Sequence, residues 1–154
     1  MGDMTTQTMG HGPPVKQFSV MLQNRVGALA ALVKMLRGTG IEVLGLSVQD
    51  ARDATIARIV VSDPETTEQL FLEKGIPHTV CDLLVVELKE AGPNLLQCLD
   101  HLMGGETNID FCYPLLSVYQ GYSLLAMHVD DLEFAASILN AAGFNLIWQD
   151  TLSR

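Results

Sequence analysis

Apolar and polar positions along the chain follow two periodicities, which predict a series of short strands and helices. Residues 16–22 (KQFSVML) alternate as a strand does, and residues 27–37 place apolar side chains at helical spacing. Gly38 and Gly40 give this helix a stop, and Asp63-Pro64 stands where a second helix is expected to begin. The first half thus predicts the order strand, helix, strand, strand, helix, strand, at 16–22, 27–37, 41–49, 55–62, 65–74 and 76–81.

After Asp82 the same order begins again, with elements predicted at 83–88, 94–103, 108–118, 122–129, 132–142 and 145–149. Leu22 and Leu88 stand 66 residues apart, whereas Asp63 and Asp131 stand 68 apart, and an insertion near Gly104-Gly105 reconciles the two offsets. The chain is therefore predicted to be a duplicated unit of about 67 residues. We expect a flexible leader at 1–14, a first unit at 15–82 and a second unit at 83–154.

The two units are expected to depend on each other, because a domain of this size buries only about 60 % of its unfolded surface. The predicted helix at 27–37 carries one apolar stripe suited to covering a sheet, at Leu29, Leu32, Val33 and Leu36. A second stripe (Ala28, Ala31 and Met35) would let another helix approach closely, or would lie half exposed because alanine simply favours helices. The sequence suggests that units join edge to edge or helix to helix.

Composition and charge exclude several classes of partner. Apolar residues make up 48 % of the chain and charged residues 18 %, with a net charge of −9 and no run of Lys or Arg, so nucleic acids and anionic membranes are unexpected partners. No apolar stretch reaches the roughly 20 residues of a spanning helix, and residues 1–14 lack the features of a signal peptide, which predicts a cytoplasmic protein. Three cysteines without C-x-x-C spacing indicate reduced, buried thiols.

The sequence contains no recognisable catalytic or metal-binding pattern. Its four histidines form no H-x-x-x-H or H-E-x-x-H motif, and neither a G-x-S-x-G turn nor a phosphate-binding loop is present. Cys98 and His101 share a helix face but lack an evident third partner, and Asp130-Asp131 is interpreted as a helix start. Tyr113 is expected to pack in a sheet, or to line a ligand or an interface between units. We therefore predict a protein that is not an enzyme and uses no metal or cofactor.

The β-α-β-β-α-β unit resembles the ACT domain, a small regulatory module that binds amino acids. Residues 24–29 (NRVGAL) are similar to the family's N-[RK]-x-G-x-L turn, and Gly40-Ile41 is similar to its second-strand start. Residues 107–113 (TNIDFCY) are similar to the family's x-N-I-[DE]-x-x-Y segment. The resemblance covers about 16–152 and matches the layout of stand-alone tandem ACT proteins of bacteria. It implies an α+β fold of two ferredoxin-like βαββαβ units, each an antiparallel sheet with two helices on one face.

The resemblance also implies a ligand site between the turn after the first strand of one unit and the second strand of a neighbouring unit. The helix start after that turn presents unsatisfied N–H groups to a carboxylate, Gly27 allows close approach, and Asn24 offers both a donor and an acceptor. The second unit has Glu90, Ala91 and Pro93 at the equivalent turn. We therefore expect one composite pocket, built from Asn24, Arg25, Val26 and Gly27 of one unit and Asn108, Ile109 and Asp110 of the other.

Two alternatives remain open from the sequence. Asn24 could simply cap the helix and Asn108 could sit in a turn ahead of a strand, in which case neither residue binds a ligand. The resemblance otherwise implies a sensor of a small amino acid that passes ligand occupancy on through the packing of its units, and we expect it to be a homodimer. A branched-chain or other apolar amino acid is favoured because no conspicuous charged group other than Arg25 is available to bind a charged side chain. The rival function is a regulatory subunit that acts by protein contacts on an amino-acid biosynthetic enzyme, as the small subunit of acetolactate synthase does.

Overall fold

The computed structural model describes residues 12–153, so most of the predicted leader at 1–14, including His11, lies outside the described residues. The strands are β1 (Val15–Leu22), β2 (Val43–Asp50), β3 (Thr55–Val61), β4 (His78–Leu88), β5 (Ile109–Pro114), β6 (Ser123–Val129) and β7 (Leu146–Ile147). The helices are α1 (Ala28–Gly38), α2 (Pro64–Lys74), α3 (Ala91–Gly104), α4 (Leu132–Ala141) and α5 (Gln149–Leu152). The architecture is the α+β fold that the sequence predicts.

All the sheet pairings are antiparallel, in the order β2-β3-β1-β4-β6-β5 with β7 also on β4. β4 is one strand of 11 residues, where the sequence analysis predicts two strands at 76–81 and 83–88. Its first half, as far as Leu83, pairs with β1, and its second half, from Leu84, pairs with β6. β4 stays continuous because no turn residue interrupts it and because Asp82 forms a 2.7 Å ion pair with Lys16 on β1. The predicted boundary after residue 82 therefore falls within a strand that both units share.

Two of the predicted helix starts are confirmed by side-chain caps. Asp63 accepts a hydrogen bond from the Thr66 backbone N–H at 3.1 Å, with Pro64 at the first helical position, and Asp131 accepts one from the Phe134 N–H at 3.1 Å. Hydrogen bonds from the Thr66 side chain and backbone also hold the pKa of Asp63 below its usual value. The 68-residue repeat is thus visible in the local chemistry of both units.

The second unit departs from prediction at two ends. Helix α3 begins at Ala91 instead of 94, so Pro93 is its third residue, which is tolerated because first-turn N–H groups have no partner within the helix. The strand predicted at 145–149 is only two residues long and gives way to α5. The reason is the buried Gln149 side chain, whose Oε1 accepts a hydrogen bond from the Lys16 backbone N–H at 2.9 Å and ties α5 to β1.

The buried residues form three cores. One lies between the sheet and helices of the first unit and includes Phe18, Leu36 and Phe71, and a second is its counterpart in the second unit. The third consists mainly of strand residues from both units: Val15, Val60, Leu83, Val85, Tyr113, Leu115, Leu124, Ala126 and Ile147. Because successive residues of a strand face opposite sides, β4 contributes alternately to the second and third cores.

The third core joins the units face to face, in addition to the edge-to-edge contact that the sequence predicts. The strand order continues from the first unit into the second through β4, and an isolated bridge joins Gly45 of β2 to Leu115 just after β5. The sheet faces opposite the helices also pack together, and this face-to-face packing was not predicted. The Tyr113 hydroxyl donates a hydrogen bond to Gln17 Oε1 at 2.7 Å in this core, and the Arg58 guanidinium lies 4.1 Å from the ring centroid of Phe111. The Leu116 N–H donates to the Leu44 carbonyl at 2.8 Å, so the segment directly after β5 also contacts β2 at the opposite end of the strand order. The apolar faces of both sheets explain this packing.

Candidate functional site

The structure places a cavity at the same position in each unit. Each cavity lies between the end of the unit's first strand, the outer face of its first helix and the turn after its second helix. The first-unit cavity measures about 270 Å³ and is lined by Met21, Leu22, Gln23, Arg25, Ala28, Ala31, Leu32, Met35, Gly75, Ile76 and Pro77. The second-unit cavity measures about 320 Å³ and is lined by Glu87, Lys89, Asn94, Gln97, His101, Ala142, Gly143, Phe144 and Asn145. Most of these residues correspond at the repeat offsets of 66 and 68.

The first-unit cavity has mainly apolar walls and a positively charged rim. The second apolar stripe of α1 forms one wall, where Ala31 is exposed and Met35 half-buried, and Arg25 contributes a guanidinium group. Helix α1 begins beside this cavity with Gly27 as its N-cap in the left-handed region (φ 88°) and with no side-chain cap or acidic residue in its first turn. A helix start of this kind has a positive dipole end and N–H groups suited to an anion. Together these features fit a small molecule with a carboxylate and an apolar side chain.

The second-unit cavity is polar at nearly every equivalent position. Glu87 replaces Met21, Asn94 and Gln97 replace the two alanines of the α1 wall, and His101 replaces Met35. His101 lies edge-on to Phe144, with ring centroids 6.3 Å apart. The two units thus present the same shape of site with different chemistry.

The pairing of Cys98 and His101 that the sequence raises as a metal or nucleophile site does not form. Cys98 is fully buried in the core of the second unit, where desolvation raises the pKa of its thiol to about 11, whereas His101 is exposed beside the second-unit cavity. Within residues 12–153, no group of three or more His, Cys, Asp or Glu side chains is arranged to hold a metal ion.

The predicted residues of the first turn have different roles. Arg25 lines the first-unit cavity, Gly27 provides the left-handed N-cap, and Val26 is fully exposed. Asn24 does not cap α1, because its Oδ1 instead accepts a hydrogen bond from the Thr55 hydroxyl at 2.6 Å. The capping alternative for Asn24 is therefore wrong, and its side chain instead links this turn to the start of β3.

The predicted residues of the second unit lie elsewhere. Asn108 and Ile109 line a third cavity, of about 360 Å³, at the end of α3. Asn108 Nδ2 donates to Asp110 Oδ1 at 3.3 Å, and Asp110 Oδ2 lies 2.7 Å from His128 Nδ1, a pairing that the sequence did not reveal. Within one chain, Asn108 and Ile109 therefore line a different cavity from Arg25.

Sequence reasoning missed the residues that give each cavity its character, above all Met21 and Met35 in the first unit and Glu87 in the second. A signal for them was available in the repeat itself. The 66-residue offset aligns two methionines and two alanines of the first unit with polar residues of the second, but only the structure identifies these positions as cavity walls. Among the described helices, none is both long and apolar enough to cross a membrane.

Comparisons with known proteins agree with this description. A family model described as an ACT domain pair matches residues 14–154. Among solved structures, protein BT0572 from Bacteroides thetaiotaomicron superposes with a TM-score of 0.83 at 18 % identity, over 92 % of this chain and 96 % of that one. None of the curated proteins compared with this chain matches it.

Two further structures share the fold at a lower level of similarity. The regulatory subunit of aspartate kinase from Thermus thermophilus, in its ligand-free form, has a TM-score of 0.57 and 14 % identity, over 84 % of this chain and 91 % of that one. The same subunit from Thermus flavus has a TM-score of 0.54 and 16 % identity, over the same shares of the two chains. Because the family model spans nearly the whole sequence and the observed topology is two βαββαβ units, the chain belongs to the ACT domain pair family.

Proposed function

We propose that this protein is a regulatory module that binds a free amino acid and is not itself an enzyme. The observation that carries the proposal is the first-unit cavity, which combines apolar walls, the Arg25 guanidinium and the uncapped start of α1. Membership of the ACT domain pair family supports a regulatory role of this kind. A cavity of about 270 Å³ is suited to a small ligand.

The ligand proposed for the first-unit cavity is an apolar, branched-chain amino acid. Its carboxylate would lie near Arg25 and the first N–H groups of α1, and its side chain would lie against Met21, Ala31 and Met35. Arg25 is the only ionisable side chain on the cavity wall among the described residues, so a charged ligand side chain would find no partner of its own there.

We further propose that the composite pocket forms between two copies of the chain. Because Arg25 and Asn108 line separate cavities within one chain, Asn108, Ile109 and Asp110 could complete the site at 24–27 only from a second copy. The proposed assembly is therefore a homodimer. Light scattering of the purified protein would test this point, and Asn108→Ala should then weaken amino-acid binding without altering the first-unit cavity of its own chain.

Ligand binding in the first-unit cavity would be passed on to the second unit through the packing contact between the two units. The cavity wall at Met21 belongs to β1, and the same strand carries Gln17, whose buried hydrogen bond to Tyr113 reaches the second unit. A ligand can shift the packing only if it binds two arrangements of the units with different affinity. β1 is the proposed connection because it contributes to both the cavity and the shared core.

Titration calorimetry with leucine, isoleucine and valine tests the proposed ligand site. Loss of a charge-assisted contact to a carboxylate costs roughly 1.5–3 kcal/mol, so Arg25→Ala should weaken binding by about 10- to 100-fold. Arg52→Ala is the matched control, since Arg52 is also exposed but lies away from the cavity. Equal affinities of the two variants would refute the role assigned to Arg25.

A regulatory subunit that acts by protein contacts is the second candidate. Exposed apolar side chains on α3, including Leu96 and Met103 at 62 % and 71 % exposure, favour this alternative because they are available to a partner. The fold shared with regulatory subunits of aspartate kinase is compatible with it. Binding of no free amino acid by the purified chain, together with copurification of a larger enzyme, would favour this candidate over the sensor.

A further inference from the structure

The second-unit cavity contains a buried carboxyl group that the protein leaves unpaired. Glu87 lies on β4, is only 4 % exposed and lines this cavity. Its Oε2 atom is buried and has no hydrogen-bond partner within the described residues. Burying such a group without a partner is unfavourable, and native proteins seldom leave one unexplained. The unpaired Glu87 Oε2 atom therefore indicates that this cavity binds a hydrogen-bond donor.

The nearby basic groups do not compensate for Glu87. Lys89 lines the same cavity, but among the described residues it forms no ion pair with Glu87, and its Nζ instead lies 5.7 Å from the ring centroid of Tyr122. His101 faces the cavity with its ring against Phe144. The remaining polar side chains on the wall are the amides Asn94, Gln97 and Asn145. Asn94 Oδ1 accepts a hydrogen bond from the Glu90 backbone N–H at 2.8 Å and its Nδ2 donates to Gln97 Oε1 at 3.1 Å, so Gln97 Nε2 and the Asn145 amide are the groups that face a ligand. The cavity therefore offers a buried acceptor surrounded by groups that can hydrogen-bond a polar ligand.

Comparison of the two units shows that this polarity is specific to the second. The structurally equivalent residue to Glu87 is Met21, and Asn94, Gln97 and His101 correspond to Ala28, Ala31 and Met35. Four replacements of an apolar wall residue by a polar one at the same site are difficult to explain by packing alone, since the apolar version folds in the first unit. They are consistent with a second site of different ligand chemistry.

We propose that the second-unit cavity binds a small polar molecule through a primary ammonium group, with Glu87 as its acceptor. An ammonium group supplies the charge and the N–H donors that Oε2 lacks, and Gln97 Nε2 and the Asn145 amide can bond the rest of the ligand. A cavity of about 320 Å³ accommodates a molecule of a few heavy atoms. Amines and polar amino acids both carry such an ammonium group, and an amino acid would also place its carboxylate toward Lys89. This site is independent of the apolar ligand proposed for the first unit.

The test uses the full-length protein and three probes, ethanolamine, putrescine and glutamine, with choline as a probe of equal charge that lacks N–H donors. We expect at least one primary ammonium probe to bind and choline to bind at least tenfold more weakly. Binding of ethanolamine or putrescine identifies an amine site, whereas binding of glutamine alone identifies an amino-acid site. Failure of all three probes at 10 mM, or equal affinity for ethanolamine and choline, overturns the proposal.

Two substitutions assign the binding to this cavity. Glu87→Gln keeps the side-chain shape and should weaken the bound probe at least tenfold, whereas Glu90→Gln removes the same charge from an exposed residue outside the cavity and should have no effect. If Glu87→Gln fails to fold, Gln97→Lys places a competing ammonium at the exposed helical wall and should give the same loss. Equal binding by the tested cavity variant and Glu90→Gln overturns the proposal.

Failure of this proposal can be distinguished from failure of the proposed function. Leucine binding should survive Glu87→Gln and be weakened by Arg25→Ala, whereas probe binding should show the reverse pattern. Loss of leucine binding in Glu87→Gln would mean that the two cavities are not independent and would overturn the assignment of a separate site.

Discussion

Replacing Tyr113 by phenylalanine removes a hydrogen bond that joins the two units through their shared core. The Tyr113 hydroxyl is 2.7 Å from Gln17 Oε1, and Gln17 is only 1 % exposed. The Gln17 amide Nε2 keeps its bonds to Ser19 Oγ at 3.1 Å and Cys81 Sγ at 3.4 Å. The substitution therefore leaves Oε1 buried and unpaired while the amide stays fixed in place by its other contacts.

The loss of stability expected for Tyr113→Phe follows from leaving Gln17 Oε1 buried without a partner. A buried acceptor that loses its partner costs about 1–3 kcal/mol in the free energy of unfolding. Taking about 2 kcal/mol, the unfolding midpoint should fall by roughly 4–8 °C for a chain of this length. Removing both partners should cost less than the sum of the single losses, so the double variant Gln17→Met with Tyr113→Phe should show a favourable coupling energy.

Urea and thermal unfolding, followed by circular dichroism, would measure these effects. Tyr119→Phe is the matched control, because Tyr119 packs against the same core but its hydroxyl makes no hydrogen bond within the described chain. Burial raises the pKa of Tyr113, so its contribution to stability is present below about pH 10 and lost as the pH rises above that value. A Tyr113→Phe variant that matches Tyr119→Phe in stability would refute the importance of the bond.

Three further substitutions or labelling experiments test local features of the fold. Asp63→Ala should cost about 1 kcal/mol in urea unfolding at pH 7, and the cost should shrink as the pH falls below about 3.8, since the folded-state pKa of Asp63 is lowered. Gly45→Ala should destabilise the chain by about 1–3 kcal/mol because its Cβ would lie 2.5 Å from Cδ2 of the buried Leu115, just after β5, whereas Gly38→Ala, with open space around it, should be neutral or stabilising. The prediction of buried thiols is wrong for Cys112, which is exposed, so a thiol reagent should label it rapidly in the native protein and label buried Cys98 only on unfolding. Fast labelling of Cys98 would contradict its place in the core.

The sequence predicts much of the secondary structure because its signals are local. The Asp63 and Asp131 caps and the glycines that end α2 and α4 lie where the 68-residue repeat places them, with Gly75 at φ 65° and Gly143 at φ 92°. Each signal depends on residues within one or two turns of the chain. Local chemistry of this kind is what single-sequence reasoning can use.

The relation between the units depends instead on contacts between distant residues. β4 pairs with β1 of the first unit and with β6 of the second unit as one continuous strand. No local sequence pattern distinguishes such a strand from two adjoining ones. The buried Gln17 is a polar residue on β1, and its partner Tyr113 is 96 residues away. The cavity walls are likewise assembled from a strand, a helix and a turn. Sequence reasoning identifies Arg25 at the first-unit cavity, but not the methionines or Glu87 that define the two cavities.

A thermal-unfolding scan of the purified protein against each of the twenty amino acids at millimolar concentration tests the central claim most directly. A ligand at one hundred times its Kd adds about 2.7 kcal/mol to the free energy of unfolding, which raises the midpoint by roughly 5–10 °C. We expect an apolar amino acid to produce such a shift and Arg25→Ala to abolish it. A midpoint that none of the twenty amino acids changes would contradict the account.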